Sequence, residues 1–333
     1  MLFSSGLLVL VSRSPLRVSF LGGGSDYPEH YLKHSGAVLG IAISDSTYVS
    51  GIRIDPSLAG HNFKISYSKV EEVELISQIT HAPFRQALDK IQLEPGWEFS
   101  VSANLPAHTG LGSSSSFLVA VLSLIKAINE EKCTKETIVK LSNFIERVEI
   151  GQLSGLQDHL FAVYGGGFLA DIKTDGSYQI SPIPAESLQI LESSIYLFST
   201  GTRRKADPHV EQIVKGASDH TKEMTELAEM ARAGYQILQS RNFSLEDFGT
   251  LVNEGWKRKK LLSPITSNPQ IDEMIEFLSK SGSVGCKLLG AGGGGFVAAL
   301  VPREKVEKFE ALTGHMNFRK VRIDHIGAEV KEI

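Results

Sequence analysis

Leu105-Pro106-Ala107-His108-Thr109-Gly110-Leu111-Gly112-Ser113-Ser114-Ser115-Ser116 runs directly into an apolar periodic segment. There Phe117, Leu118, Val121, Leu122, Ile125 and Ile128 recur at three- and four-residue steps, which predicts an amphipathic helix over about Ser114–Asn129. Gly110 and Gly112 carry no side chain, so backbone N–H groups can approach an anion closely. The first turn of a helix leaves its N–H groups unpaired at the positive end of the dipole. Serine hydroxyls there can cap the helix, hold phosphate oxygens or hold magnesium. A Gly/Ser loop of this kind is more often a plain cap, so other motifs have to decide.

The 333 residues suffice for one large or two medium domains. A hydrophobic content of 42% with 22% charged residues is that of a soluble globular chain. The net charge of −4 offers no basic field for nucleic acid. Cys133 and Cys286 are the only cysteines, which excludes a disulfide framework or cysteine zinc site and fits a reducing cytoplasm. Gly6–Val11 is apolar but too short to span a bilayer and lacks the flanks of a signal peptide; it reads as a buried strand, with no membrane partner.

Apolar and β-branched runs predict strands at Leu7–Ser12, Arg17–Leu21, Ala37–Ile43, Tyr48–Ile54, Phe63–Ser68 and Glu98–Ala103, with a helix at about Ile79–Ile91. A second helix follows the serine loop at about Thr134–Ile150, its stripe being Ile138, Leu141, Ile145 and Val148. Strands are expected at Phe168–Asp171, Ile195–Ser199, Gly285–Leu289, Gly295–Val301 and near Val321–Asp324. Between about Ala206 and Lys280 the pattern is helical, and another helix is expected at Glu304–Leu312. The class is α+β.

Three further features bear chemistry. Ser14-Pro15-Leu16-Arg17-Val18-Ser19-Phe20-Leu21-Gly22-Gly23-Gly24-Ser25-Asp26-Tyr27 is a strand emptying into glycines. Arg17 is a fixed cation in an apolar strand and needs an anionic partner. Lys287-Leu288-Leu289-Gly290-Ala291-Gly292-Gly293-Gly294-Gly295-Phe296 contains G-x-G-x-x-G but precedes a strand, which argues against a dinucleotide fingerprint. On periodicity Glu146 lies off the apolar stripe as an ordinary solvated glutamate, with Glu149 nearer the apolar edge; Asp158 reads equally as an N-cap. The basic clusters Arg203-Arg204-Lys205 and Lys257-Arg258-Lys259-Lys260 read as solvated faces, the first, at a strand end, being the better anion candidate.

Taken in order, the three glycine motifs at Ser14–Asp26, Pro106–Ser116 and Lys287–Phe296 resemble those of the GHMP small-molecule kinases. The resemblance spans essentially the whole chain. It implies an N-terminal ribosomal-protein-S5-like β/α domain over 1–185 and a C-terminal ferredoxin-like α/β sandwich over 186–333. It implies that Gly110, Leu111, Gly112, Ser113, Ser114 and Ser115 bind the phosphates of ATP. Magnesium would be held by Glu146 and a serine, Ser114 before Ser113. Asp158 matches the general base, Arg17 the arginine beside it, and Asp26 a sugar-hydroxyl-binding aspartate. The galactokinase-type Glu-His after the first glycine is absent. The Gly22-Gly23-Gly24-Ser25-Asp26 string, with Arg203 or Arg204 after Thr200-Gly201, is instead similar to D-glycero-D-manno-heptose 7-phosphate kinases and fucokinase-like relatives. Gly292, Gly293 and Gly294 are expected on the substrate side.

The expected reaction is Mg-ATP-dependent transfer to a sugar hydroxyl, in a heptose kinase the anomeric C1 of the 7-phosphate. The bisphosphate product would serve nucleotide-activated heptose synthesis for capsule, lipopolysaccharide or S-layer glycan. Partners are the sugar phosphate and ATP, with a monomer or homodimer expected. The alternatives are a fucokinase-like enzyme on an unphosphorylated sugar and a non-catalytic sugar-sensing regulator, the latter disfavoured by retention of Glu146 and Asp158.

Overall fold

Two long strands form the spine of the molecule. In the computed structural model, which describes residues 9–107, 109–202, 211–214, 216, 217 and 219–333, β1 (Val9–Leu21) and β2 (Gly36–Arg53) pair antiparallel from Val9↔Ile52 to Leu21↔Leu39. Four shorter strands were expected there. The breaks at Pro15 and around Ser44–Ser46 are instead absorbed by a register shift between Pro15 and Leu16, where a proline costs no ladder hydrogen bond.

The first half of β2 also pairs with β6 (Gly167–Ile172), and its second half with β5 (Trp97–Ala103). Beyond β5 lie β3 (Phe63–Ser66), parallel to it, and β4 (Val70–Val73); β7 (Tyr178–Pro182) extends β6. On the other side of β1 sits β12 (Glu329–Glu332), completing an eight-stranded sheet among the described residues. A four-stranded antiparallel sheet runs β11 (Phe318–Lys320), β8 (Ile195–Ser199), β10 (Phe296–Leu300), β9 (Gly285–Leu288).

Side chains alternate across a strand, so β1 and β2 feed two cores. Val38, Ala42 and Val49 meet Leu118, Val121 and Ile125 of α4 (Ser113–Ile128) and Leu160 and Phe161 of α6 (Leu156–Tyr164). Leu16, Val18, Phe20, Leu39 and Ile41 meet Ala228 and Ala231 of α8 (Thr221–Gln239) and Phe248 and Val252 of α9 (Leu245–Lys260). Each large apolar side chain buried this way stabilises the fold by about 1.5–3 kcal/mol. The smaller sheet buries Tyr196, Phe198 and Val297 against Leu278 of α10 (Pro269–Lys280) and Phe309 of α11 (Val306–Thr313).

The remaining helices are α1 (Pro28–His34), α2 (Pro56–Ala59), α3 (Ala82–Ile91), α5 (Lys135–Phe144) and α7 (Ala185–Ser194). The strand expected near Val321–Asp324 is only a bridge from Ile323 to Ile43. Asp324 turns the chain there, its carboxylate accepting from the Ile326 and Gly327 amides. A division after residue 185 falls at the first residue of α7, and β12 returns to the first sheet.

Candidate active site

The serine segment starts α4 as its sequence predicts. Gly112 is the N-cap, with φ +77°, a left-handed conformation that favours glycine. A Cβ there would also press within 3.3 Å of Asp158 Oδ2. Ser113 to Ser116 form the first turn, and Ser116 Oγ donates to Ser14 O at 2.8 Å, fixing α4 to β1. The second glycine run lies against this loop from behind. A Cβ on Gly295 would stand 2.3 Å from Thr109 O, and one on Gly110 would stand 2.5 Å from Leu289 O. The two loops thus touch backbone to backbone.

The anionic partner that Arg17 requires is Asp158. Arg17 Nε donates to Asp158 Oδ1 at 2.7 Å and Nη2 to Oδ2 at 2.9 Å, a bidentate fork. Its third nitrogen, Nη1, donates to Gly110 O at 2.6 Å, and its backbone N–H donates to Leu111 O. One arginine therefore locks the aspartate to the glycine–serine loop. Asp158 sits in the first turn of α6; the N-cap is Gly155, so the capping reading does not hold.

Glu146 departs from its expected solvated face: it is buried at 2% exposure. The cause is local. α5 ends at Phe144 and the chain widens into a π-turn over Ile145–Glu149. That extra residue per turn rotates everything after Phe144 out of the 3.6 period. Val148, assigned to the apolar stripe, is 64% exposed, while Glu149 pairs with Lys90 at 2.6 Å. Ser115 Oγ donates to Glu146 Oε2 at 2.7 Å, and His159 Nε2 lies 2.9 Å from the same oxygen. Burial drives the Glu146 carboxyl up, but His159 and the Ser114 and Ser115 hydroxyls outweigh it and hold it below its ordinary value. Ser114 Oγ also donates to Gln152 Oε1 at 3.3 Å. An ionised carboxylate with hydroxyls beside a helix N-terminus suits magnesium, which takes one or two carboxylates and completes its shell with substrate phosphates and water. The residues present therefore fit the ion. Among the described residues no group of three or more His, Cys, Asp or Glu makes a self-contained cage.

Asp26 is fully buried behind the cavity wall. Its Oδ1 accepts from Gly24 N at 2.9 Å and its Oδ2 from Gln157 N at 3.1 Å, while its carbonyl accepts from Leu156 N. It satisfies two of the orphan amides of α6. Burial pushes its carboxyl up, against the Gly24 amide and with Asp158 adding to the rise. Ser25 Oγ donates to Gly22 O and Ala37 O, closing the glycine turn. Lys287 is fully buried and donates to Phe20 O at 2.7 Å; burial first, then Lys259 and Arg17, hold its amine well below the usual lysine value.

These elements enclose a cavity of about 430 Å³, within the range of small-molecule sites. Arg17, Gly24, Gly110, Gly112, Ser113, Ser114, Ser115, Glu146 and Asp158 all line it. Gly22, Gly23, Ser25, Asp26, Gly292, Gly293 and Gly294 support it without lining it; Gly290 and Ala291 are the lining members of the last motif. Gly293 N donates to Thr266 O, and Gly294 abuts Thr202. Arg203 and Arg204 lie outside the described residues.

Sequence reasoning missed several lining residues. Tyr67, His81 and Phe117 form an aromatic end, with ring centroids 4.6 Å (Tyr67–His81) and 5.2 Å (His81–Phe117) apart. Their sequence separation concealed the cluster. Lys259, expected with its cluster on a solvated face, is instead buried and lines the cavity. Its signal was legible: Phe248, Val252, Trp256 and Lys259 fall at helical spacing on the buried face of α9.

The models of the GHMP kinases match this chain in both halves: the N-terminal domain over residues 75–166 and the C-terminal domain over 237–312. The chain belongs to the GHMP kinase family, phosphotransferases by class. It is 28% identical over 335 residues to the bifunctional fucokinase/GDP-fucose pyrophosphorylase of Arabidopsis thaliana, covering 90% of this chain but only 30% of that protein. It is 24% identical over 315 residues to the D-glycero-alpha-D-manno-heptose 7-phosphate kinase of Campylobacter jejuni, covering 90% of this chain and 92% of that one. A crystal structure of a D-glycero-D-manno-heptose 1-phosphate kinase from B. thetaiotaomicron superposes with a TM-score of 0.78 at 20% identity, covering 97% and 99% of the two chains. Lactococcus lactis galactokinase with galactose gives 0.75 at 16% identity, covering 98% and 95%. No helix among the described residues is long and apolar enough to cross a membrane.

Proposed function

We propose that this kinase transfers the γ-phosphoryl group of ATP to a sugar hydroxyl, the anomeric C1 hydroxyl of D-glycero-D-manno-heptose 7-phosphate. The Arg17–Asp158 fork carries the reading: a carboxylate fixed at the cavity wall beside a helix N-terminus, with a buried glutamate lining the same cavity. In this scheme the amides and hydroxyls of Gly110 to Ser115 hold the triphosphate. Tyr67, His81 and Phe117 receive the base. Glu146 and Ser114 hold magnesium, which neutralises charge on the phosphates. Asp158 accepts the proton of the acceptor hydroxyl as the hydroxyl oxygen bonds to the γ-phosphorus and the bond to the β–γ bridging oxygen breaks, releasing ADP. The Arg17 guanidinium orients Asp158 and faces the charge spread over the phosphoryl oxygens.

The acceptor assignment draws support from the heptose 7-phosphate kinase of Campylobacter jejuni among the relatives. A phosphorylated acceptor also gives Lys259, and Arg203 and Arg204 in their turn, an anion to bind. The second reading is a fucokinase-like reaction on an unphosphorylated sugar, favoured by the match to the Arabidopsis thaliana protein. Incubation with Mg-ATP and a panel of sugars and sugar phosphates, followed by phosphorus NMR, separates the two. A new C1 phosphate on the heptose 7-phosphate is expected. Phosphate appearing only on free fucose moves the assignment to the second reading, and no transfer to any sugar contradicts both.

A further inference from the structure

His159 has no part in the scheme above, yet it is fully buried and its Nε2 lies 2.9 Å from Glu146 Oε2. It directly follows Asp158 on α6, so the two side chains diverge by about 100° around the helix. Asp158 turns to Arg17 and the cavity, and His159 turns to Glu146. Glu146 itself stands on the π-turn, where the chain leaves the 3.6-residue period. Ser115 of α4 donates to its Oε2, and His159 of α6 stands at ion-pair distance from the same oxygen. His159 Nε2 is off the angle of a hydrogen bond, and neither of its ring nitrogens has a hydrogen-bond partner among the described residues. An ionised carboxylate only accepts, so a proton on Nε2 is what Glu146 would take up.

We propose that His159 is a positioning residue for the metal site: it aims the Glu146 carboxylate, committing Oε2 to the protein and presenting the other oxygen to the divalent cation. One turn of α6 then sets both the base and the metal ligand, so the spacing between them is fixed by a single rigid element. The inference rests on the metal-holding role of Glu146 in the proposed function. Partners that orient a metal ligand typically change metal affinity by about 10–100-fold when lost.

The test is direct titration of Mn²⁺ by electron paramagnetic resonance, with a non-hydrolysable ATP analogue and no acceptor. His159→Leu is expected to weaken Mn²⁺ binding at least about 10-fold. His159→Gln, whose amide nitrogen reaches about as far as Nε2, is expected to stay within about 3-fold of the natural protein. In turnover assays the leucine variant should shift the magnesium requirement while kcat at saturating magnesium is largely retained. Should it fail to fold, His159→Asn, polar but too short, takes its place with the same expectation. A folded leucine or asparagine variant with unchanged Mn²⁺ affinity overturns the proposal, as does a glutamine variant as weak as the leucine one. Glu146→Gln is the control: if it leaves Mn²⁺ affinity unchanged, the metal role of Glu146 fails rather than the role of His159.

Discussion

At the residue scale the site depends on how charge is held. Arg17 makes three directed hydrogen bonds, two to Asp158 and one to Gly110 O, from a position 3% exposed. Lysine keeps the charge but not the planar fork. Arg17→Lys is therefore expected to lower kcat by about 10²-fold, as loss of an oriented charge-stabilising donor does, while KM for ATP changes little. Steady-state kinetics check this; an unchanged kcat would remove Arg17 from the mechanism. That Arg17 needed a partner was legible, because an arginine in an apolar strand has few other fates. Which anion it meets was not, since 141 residues separate it from Asp158.

Elements succeed or fail by their period. α4 kept a clean 3.6-residue stripe and matched its prediction within a residue at each end. The next helix did not, because the π-turn shifted the phase after Phe144 and carried Glu146 inward. No composition rule announces that turn; only the family's motif spacing pointed to Glu146 over Glu149. The contact between glycine loops is likewise a tertiary fact. Gly295 (φ +109°) would bring a Cβ within 2.3 Å of Thr109 O. Gly295→Ala must therefore move the serine loop at Thr109. It is expected to cost about 1–3 kcal/mol of stability and to raise KM for ATP more than it lowers kcat. Urea titration and initial rates test both; wild-type values in the two would mean the loops are not coupled.

For the whole molecule, the long β1–β2 ladder joins two cores and brings the starts of α4 and α6 to one cavity. Its continuity was hidden by Pro15 and the polar Ser44–Thr47 stretch, which read as breaks between short strands. Stability should follow a buried histidine on α1. Burial and the neighbouring His34 push His30 down from 6.5 to about 4. Its folded value lies below its unfolded one, so the unfolded state binds more protons at mildly acid pH. This contribution is intact above about pH 6.5 and is lost as pH falls toward about 4. The urea midpoint should drop across that window, and less steeply in His30→Gln; equal slopes would contradict the assignment. The central claim, that these elements converge to let Asp158 take a proton during phosphoryl transfer, is tested most directly by Asp158→Asn. Its ATP affinity by calorimetry and its turnover of the acceptor identified by NMR should be measured on the same preparation. The account predicts near-normal nucleotide binding with turnover reduced about 10²–10⁴-fold, and turnover close to that of the natural protein would contradict it.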